Sequence, residues 1–333
     1  MNPLRLTLAC LPYDHVQPLT SGEVRIEGVE LAPIACRRPM DVFSRMLANN
    51  EFDIAEMSLI HCFILTMLGR ARFVALPVYP SRMFRHGFIF VNTRAGVTAP
   101  KDLEAKRIGV QGYQTTAAVW IRGILQREYG VSFDGAKWFE GGVNQKGVAG
   151  GQATRLRPDS SLAIESIGDG TTLSDALAAG EIDALIGPEV PHSLHRSGRV
   201  RRLFPDYHAI ERDYYARTGI FPIMHALVLK DEVHRAHPWL ATNVCTAFER
   251  SKQVAHRQAR FTGALSYMLP WQHEQIEEID QIFGPDPWPY GIRRNRSALE
   301  AFAQFLFEQR FTPKVAALDE VFLTVPELES GPT

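Results

Sequence analysis

At 333 residues, with 45% hydrophobic side chains, the chain is long enough for two domains with well-buried cores. Its 36 Lys and Arg nearly cancel its 37 Asp and Glu, leaving a formal net charge of −1. With no long basic run, it carries no electrostatic footprint for a phosphate backbone or an anionic membrane, so neither nucleic acid nor membrane is an expected partner.

The chain opens with an apolar run at 4–11, a polar turn and a second strand expected at 29–35. A helical spacing follows over 39–47; alternating apolar residues at 52–57 then predict a strand, with Ser58 where a helix through 68 begins. After the apolar run at 73–79 comes a polar connection, Pro80-Ser-Arg-Met-Phe-Arg-His86, and a strand expected at 87–91. The β-α rhythm restarts near Asn92: Pro100 suits the first turn of a short helix, 107–111 reads as a strand, and 116–129 as a helix ended by Gly130. Thr172 and Asp175 resemble a capping box for a helix ending at Gly180, and 182–186 is expected as a buried strand. Residues 141–158 show no apolar period and read as a mobile loop, while the run at 220–229 leads into helical patterns at 239–255, 273–282 and 296–310. Strands alternating with helices imply mainly parallel sheets, and the helical tail must pack on a lobe already built.

The apolar stretch at 6–11 is interrupted by Pro12, Tyr13 and Asp14, too short for a secretory signal, and no segment reaches the roughly 20 apolar residues of a membrane span. Cys10, Cys36, Cys62 and Cys245 are widely spaced and form no C-x-x-C pair, which fits reduced thiols. A cytoplasmic protein is the expectation. His192-x-x-His195 and His234-x-x-His237 lack a carboxylate or cysteine at zinc spacing, so no metal is expected. Phosphate-loop, dinucleotide and nucleophile-elbow motifs are absent.

The strongest chemical cluster is Arg82-Met-Phe-Arg85-His86, which suits a carboxylate clamp beside a titrating histidine; the competing reading is an exposed basic turn. Tyr113-Gln-Thr115-Thr116 brings backbone N–H groups and hydroxyls to a helix start, which suits an anion, although Thr115 can serve as a cap alone. Ser58 stands at a similar start, with Glu56 read as a possible partner for an arginine. Tyr13 and Asp14 follow the first strand on an edge where open α/β sheets bind ligands, and Asp14 suits a base, a histidine-orienting group or a turn residue. His225 reads as a proton-transfer group or a core histidine, and Trp288-Pro-Tyr290 as a cover for an aromatic ligand or a structural corner.

Several segments together resemble the 4,5-dihydroxyphthalate decarboxylase family, a branch of the type 2 periplasmic-binding-protein-like superfamily. They include Tyr13-Asp14, the strand end at 52–58, the 80–86 connection, and Tyr113-Gln-Thr-Thr-Ala-Ala-Val-Trp-Ile-Arg122. Trp138 with Gly141-Gly142, Ala179-Gly-Glu-Ile-Asp183, Phe221-Pro-Ile-Met-His225, Asp286-Pro-Trp-Pro-Tyr-Gly291 and Asn295-Arg296 continue the likeness, which spans roughly residues 5–312. The resemblance implies a two-lobed α/β fold, lobe I at 1–92 plus 220–333 and lobe II at 93–219, with the C-terminal helices on the first lobe and a ligand cleft between them. It implies cofactor-independent decarboxylation of a small anionic aromatic dicarboxylate to 3,4-dihydroxybenzoate. His86, His225 and Asp14 are then the candidates for moving protons, and Arg82, Arg85, Ser58, Tyr13, Tyr113, Thr115, Thr116, Trp288 and Tyr290 for binding. The alternative is a solute-binding protein that leaves its carboxylate unchanged. The helical tail shows no decisive heptad seam, so a homo-oligomer stays open.

Overall fold

The computed structural model describes residues 3–147 and 163–329. The chain divides into two compact units, one formed by 1–82, 225–299 and 316–333 and the other by 83–224 and 300–315.

The sheet of the first unit is built from β1 (Leu4–Ala9), β2 (Val29–Ile34), β3 (Ile54–Ser58), β4 (Phe73–Arg82) and, returning late in the chain, β11 (Ile223–Lys230), in the order β2-β1-β3-β11-β4. β1 runs parallel to β2 and β3, while β11 lies antiparallel to β3 with His225 opposite Ser58 and Leu227 opposite Glu56. All five residues of β3 are buried, as expected of a central strand covered on both faces. Helix 240–259, with Val244, Cys245 and Phe248 buried, packs on β4.

The second unit orders its strands β10 (Val200–Arg202), β5 (Ile89–Asn92), β9 (Ala184–Ile186), β6 (Arg107–Val110), β7 (Lys137–Glu140) and β8 (Ile164–Ser166). β6 pairs in parallel with β7 and β9, whereas β5 is antiparallel to both its neighbours. Helix Thr116–Tyr129 begins at Thr115, whose hydroxyl accepts from the Ala118 N–H, and ends at Gly130 with φ of 63°. Helix Leu173–Ala179 likewise starts at Thr172, which accepts from the Asp175 N–H, and stops at Gly180 with φ of 85°, a backbone state that glycine adopts at little cost.

One local expectation is corrected. The 80–86 connection is not all turn: β4 continues to Arg82, and a short 3-10 helix, His86–Phe88, precedes β5. Helix Tyr207–Thr218 and the short strands β7, β8 and β10 lie where no pattern was read. Part of the expected loop at 141–158 falls outside the described residues, and its described portion, 141–147, forms no helix or strand. Among the described residues no helix is long and apolar enough to cross a membrane, and Cys10, Cys36, Cys62 and Cys245 are all free thiols.

Candidate functional site

In the first unit, the parallel register of β1 and β3 brings the segment after β1 beside Glu56, and β11 brings His225 diagonally across from it. Glu56 is fully buried. Its Oε1 accepts from the Tyr13 hydroxyl at 2.6 Å and faces His225 Nδ1 at 2.5 Å, while Oε2 accepts from the Leu11 N–H at 3.0 Å and the Cys10 thiol at 3.6 Å. Burial pushes its carboxyl pKa up, but the charge and hydrogen bond of His225, with the Tyr13 and Leu11 donors, outweigh this and hold it below the usual value. Beside this carboxylate, burial and Glu56 push the Tyr13 phenol and the Cys10 thiol far up, so both stay protonated.

A carboxylate at Nδ1 fixes the imidazole so that Nδ1 carries the proton facing Glu56. The other nitrogen, Nε2, then accepts a proton when the ring is neutral and donates one when it is cationic. His225 is 15% exposed at its side chain, and its ring packs T-shaped with that of Phe43, the ring centroids 5.0 Å apart. This is a buried acid orienting a partly accessible histidine, an arrangement suited to general acid–base chemistry.

Asp14 belongs to a neighbouring pair. One oxygen meets His15 Nδ1 at 2.9 Å and the other accepts from the Tyr267 hydroxyl at 2.7 Å. The His15 bond, against opposing burial, holds the Asp14 carboxyl far below the usual range. The Tyr13 ring stacks on His15 at 5.4 Å, and His15 tilts against Trp288. Trp288 Nε1 donates to the Tyr79 carbonyl at 2.8 Å, and Tyr290 is buried beneath Lys252, whose Nζ bonds Asp286. Ser58 is buried at the N-terminus of helix Leu59–Met67 without forming a side-chain cap. Arg82 donates to the Pro289 carbonyl at 2.6 Å and to the Asn295 side chain, tying β4 to the 289–295 segment.

Arg85 and His86 fall in the second unit, so the Arg82–Arg85 spacing is split between units. Neither is an exposed turn residue: Arg85 is 5% exposed and His86 1%. The His86 ring lies among Tyr129, Phe204 and Tyr214, with Glu211 3.9 Å from Nδ1, and burial, aided by Arg217, pushes its pKa down to about 4. Burial holds the Arg85 guanidinium down to about 10, with Glu211 acting in the other direction.

The structure brings Tyr113, Thr115 and Thr116 together at the start of helix Thr116–Tyr129. The Tyr113 N–H donates to Glu140 at 2.7 Å, and its carbonyl accepts from buried Arg122 at 2.8 Å. The Arg122 guanidinium lies 3.8 Å from the Tyr113 ring centroid and also donates to Gln309 at 2.9 Å. The Thr115 hydroxyl donates to the Gly112 carbonyl at 3.0 Å while capping the helix, and Thr116 is buried.

Two relationships carry no signature in local sequence, Glu56 with His225 and Arg122 with Tyr113. The partner of Glu56 is a histidine 169 residues along the chain, beyond any local spacing signal, and not the arginine expected from the sequence. Among the described residues, no group of three or more His, Cys, Asp or Glu is placed to hold a metal ion.

No protein-family model matches the chain. Among solved structures, it resembles the periplasmic sulfonate-binding protein of Methylobacillus flagellatus at a TM-score of 0.54 and 13% identity, covering 97% of this chain and 92% of that one. The aliphatic sulphonate-binding protein of Escherichia coli superposes at 0.52 with 12% identity over 97% of each chain. These likenesses establish the periplasmic-binding-protein-like fold and nothing of the ligand. At the sequence level, the 4,5-dihydroxyphthalate decarboxylase of Comamonas testosteroni is 35% identical over 320 residues, 94% of this chain and 96% of that protein. The protein of the same name from Pseudomonas putida is 36% identical over 217 residues, 65% of this chain and 83% of that protein. The chain belongs to the 4,5-dihydroxyphthalate decarboxylase family.

Proposed function

We propose that the protein is a carboxy-lyase that converts 4,5-dihydroxyphthalate to 3,4-dihydroxybenzoate and carbon dioxide, with His225 as its proton-transfer group. The two named relatives support the substrate, and the Glu56–His225 pair is the observation that carries the chemistry. Each ring hydroxyl of this substrate lies para to a carboxylate. Polarising one hydroxyl moves electron density to the opposite ring carbon, where imidazolium Nε2 delivers a proton. The carbon–carbon bond to that carboxylate then breaks, its electron pair restores the aromatic ring, and carbon dioxide leaves. Counted over a turnover, one proton is taken up, which His225 recovers from solvent. Because the hydroxyls supply the electron density, the reading needs no cofactor. The free thiols fit an enzyme of the reducing cytoplasm.

A solute-binding protein would return its ligand unchanged and has no need for a buried carboxylate orienting a histidine. The test is to incubate chelator-treated protein with 4,5-dihydroxyphthalate and follow 3,4-dihydroxybenzoate by chromatography, with His225→Ala alongside. Product from the wild type and a rate loss of about 100-fold or more in the variant are expected. Full recovery of the substrate from the wild type would sink the enzyme reading.

A further inference from the structure

The connection after β4 is held in place before its side chains are considered. The Met83 N–H donates to the Pro222 carbonyl at 3.0 Å, and the Phe84 ring stacks on Phe221 at 4.6 Å. Arg85 follows, 5% exposed. Its Nε and Nη2 approach the Met224 sulfur at 3.2 and 2.7 Å, and its guanidinium carbon lies 5.0 Å from the Phe88 ring centroid. Nη1 is enclosed without a hydrogen-bond partner, so among the described residues this guanidinium bonds no oxygen at all. Glu211 is the nearby acid, yet its Oε1 accepts from the Gly87 N–H at 3.1 Å and it forms no ion pair with Arg85.

That state is unusual for arginine. A thioether is a weak acceptor, and a buried cation without oxygen partners is costly. Other buried arginines in the chain do not share it: Arg82 has the Pro289 carbonyl and the Asn295 amide, and Arg122 has Tyr113 and Gln309. A planar guanidinium held over an aromatic face, with Nη1 unpaired and with Nε and Nη2 spent only on a thioether, keeps donors that the two oxygens of a carboxylate satisfy far better.

We propose that Arg85 receives a carboxylate of an aromatic dicarboxylate, and specifically the carboxylate that stays on the ring. The ligand class rests on the decarboxylase reading. The choice of carboxylate follows from transition-state logic: a strong ion pair to the departing group would stabilise the ground state, whereas one to the retained group acts equally before and during bond breaking.

The test uses phthalate, which has both carboxylates but no hydroxyl and therefore no route to turnover. Titration calorimetry on the full chain is expected to show saturable binding, weakened about 10- to 100-fold in Arg85→Met and less in Arg85→Lys. Arg85→Met keeps much of the side-chain volume and removes a buried charge, so its thermal midpoint should equal or exceed that of the wild type. With 4,5-dihydroxyphthalate, the loss should appear in KM rather than kcat. Absence of phthalate binding by the wild type, unchanged affinity in a folded Arg85→Met, or a loss confined to kcat overturns the proposal; if Arg85→Met fails to fold, wild-type affinity in Arg85→Lys does so. Arg85-dependent phthalate binding without turnover of 4,5-dihydroxyphthalate would instead retain the carboxylate receptor and remove the decarboxylase reading.

Discussion

Glu56 and His225 lie on adjacent antiparallel strands, and Glu56 Oε1 meets His225 Nδ1 at 2.5 Å while the rest of the carboxylate is surrounded by donors. The pair fixes which imidazole nitrogen is available for chemistry. Glu56→Gln keeps the shape but removes the charge and allows the opposite tautomer. Steady-state assays of 3,4-dihydroxybenzoate release should show kcat reduced by about 100- to 10,000-fold with KM changed little. A variant retaining more than a tenth of wild-type kcat would mean that His225 does not depend on Glu56.

Tyr13 shares the same carboxylate oxygen. Tyr13→Phe removes one of the contacts that hold the Glu56 pKa down, so that pKa should rise. Because the ionised carboxylate orients His225, activity should be lost at a higher pH on the acid side than in the wild type. The pH profile of kcat/KM checks this, and an unmoved or downward-moved acid limb contradicts it.

His86 supplies a separate dependence in the second unit. Burial lowers its folded pKa to about 4 from an ordinary 6.5. Between those values the unfolded chain binds the proton and the folded one does not, so stability is full above pH 6.5 and falls as the pH drops toward 4. The contribution is on the order of 3 kcal/mol at its limit. Urea unfolding from pH 7.5 to 4.5 should therefore show a weaker pH dependence in His86→Phe, which keeps a ring among Tyr129, Phe204 and Tyr214. Parallel stability curves for the two proteins would refute it.

The sequence was most legible where a local rule acts alone. Thr115 and Gly130 delimit the helix they were expected to delimit, and Thr172 with Asp175 forms its capping contact. Strands of three residues, such as β8 and β10, carry too little alternation to register, and their place depends on neighbouring strands. The 52–58 strand and the histidine at 225 could each be read locally, but β11 pairs them from far along the chain. The two arginines, three apart in sequence, are separated for a related reason: continuation of β4 through Arg82 puts one guanidinium against Pro289 and Asn295, leaving Arg85 in other surroundings.

Gly123 tests the packing behind the Thr115 helix. A methyl group there would fall 2.2–2.6 Å from ring atoms of Phe305, which is itself buried on helix Arg296–Glu308. Gly123→Ala gains helix propensity, worth about 1 kcal/mol, but must displace a fully packed ring. A net loss of about 1–3 kcal/mol is expected in denaturant unfolding. The double variant Gly123→Ala/Phe305→Leu should recover part of that loss; a stabilised single variant would show that the ring moves freely.

Thr115 separates capping from ligand binding. Its hydroxyl accepts from the Ala118 N–H at 3.3 Å and donates to the Gly112 carbonyl at 3.0 Å, so its single donor is already engaged. Thr115→Ala should cost about 1 kcal/mol of stability through the lost cap, and Thr115→Ser should restore most of it. With the donor committed to Gly112, KM in Thr115→Ala should stay within about 2-fold of wild type, a difference worth less than 0.5 kcal/mol. A KM raised about 10-fold and rescued by serine would instead require the hydroxyl to leave Gly112 and bond the substrate, making Thr115 part of the anion site.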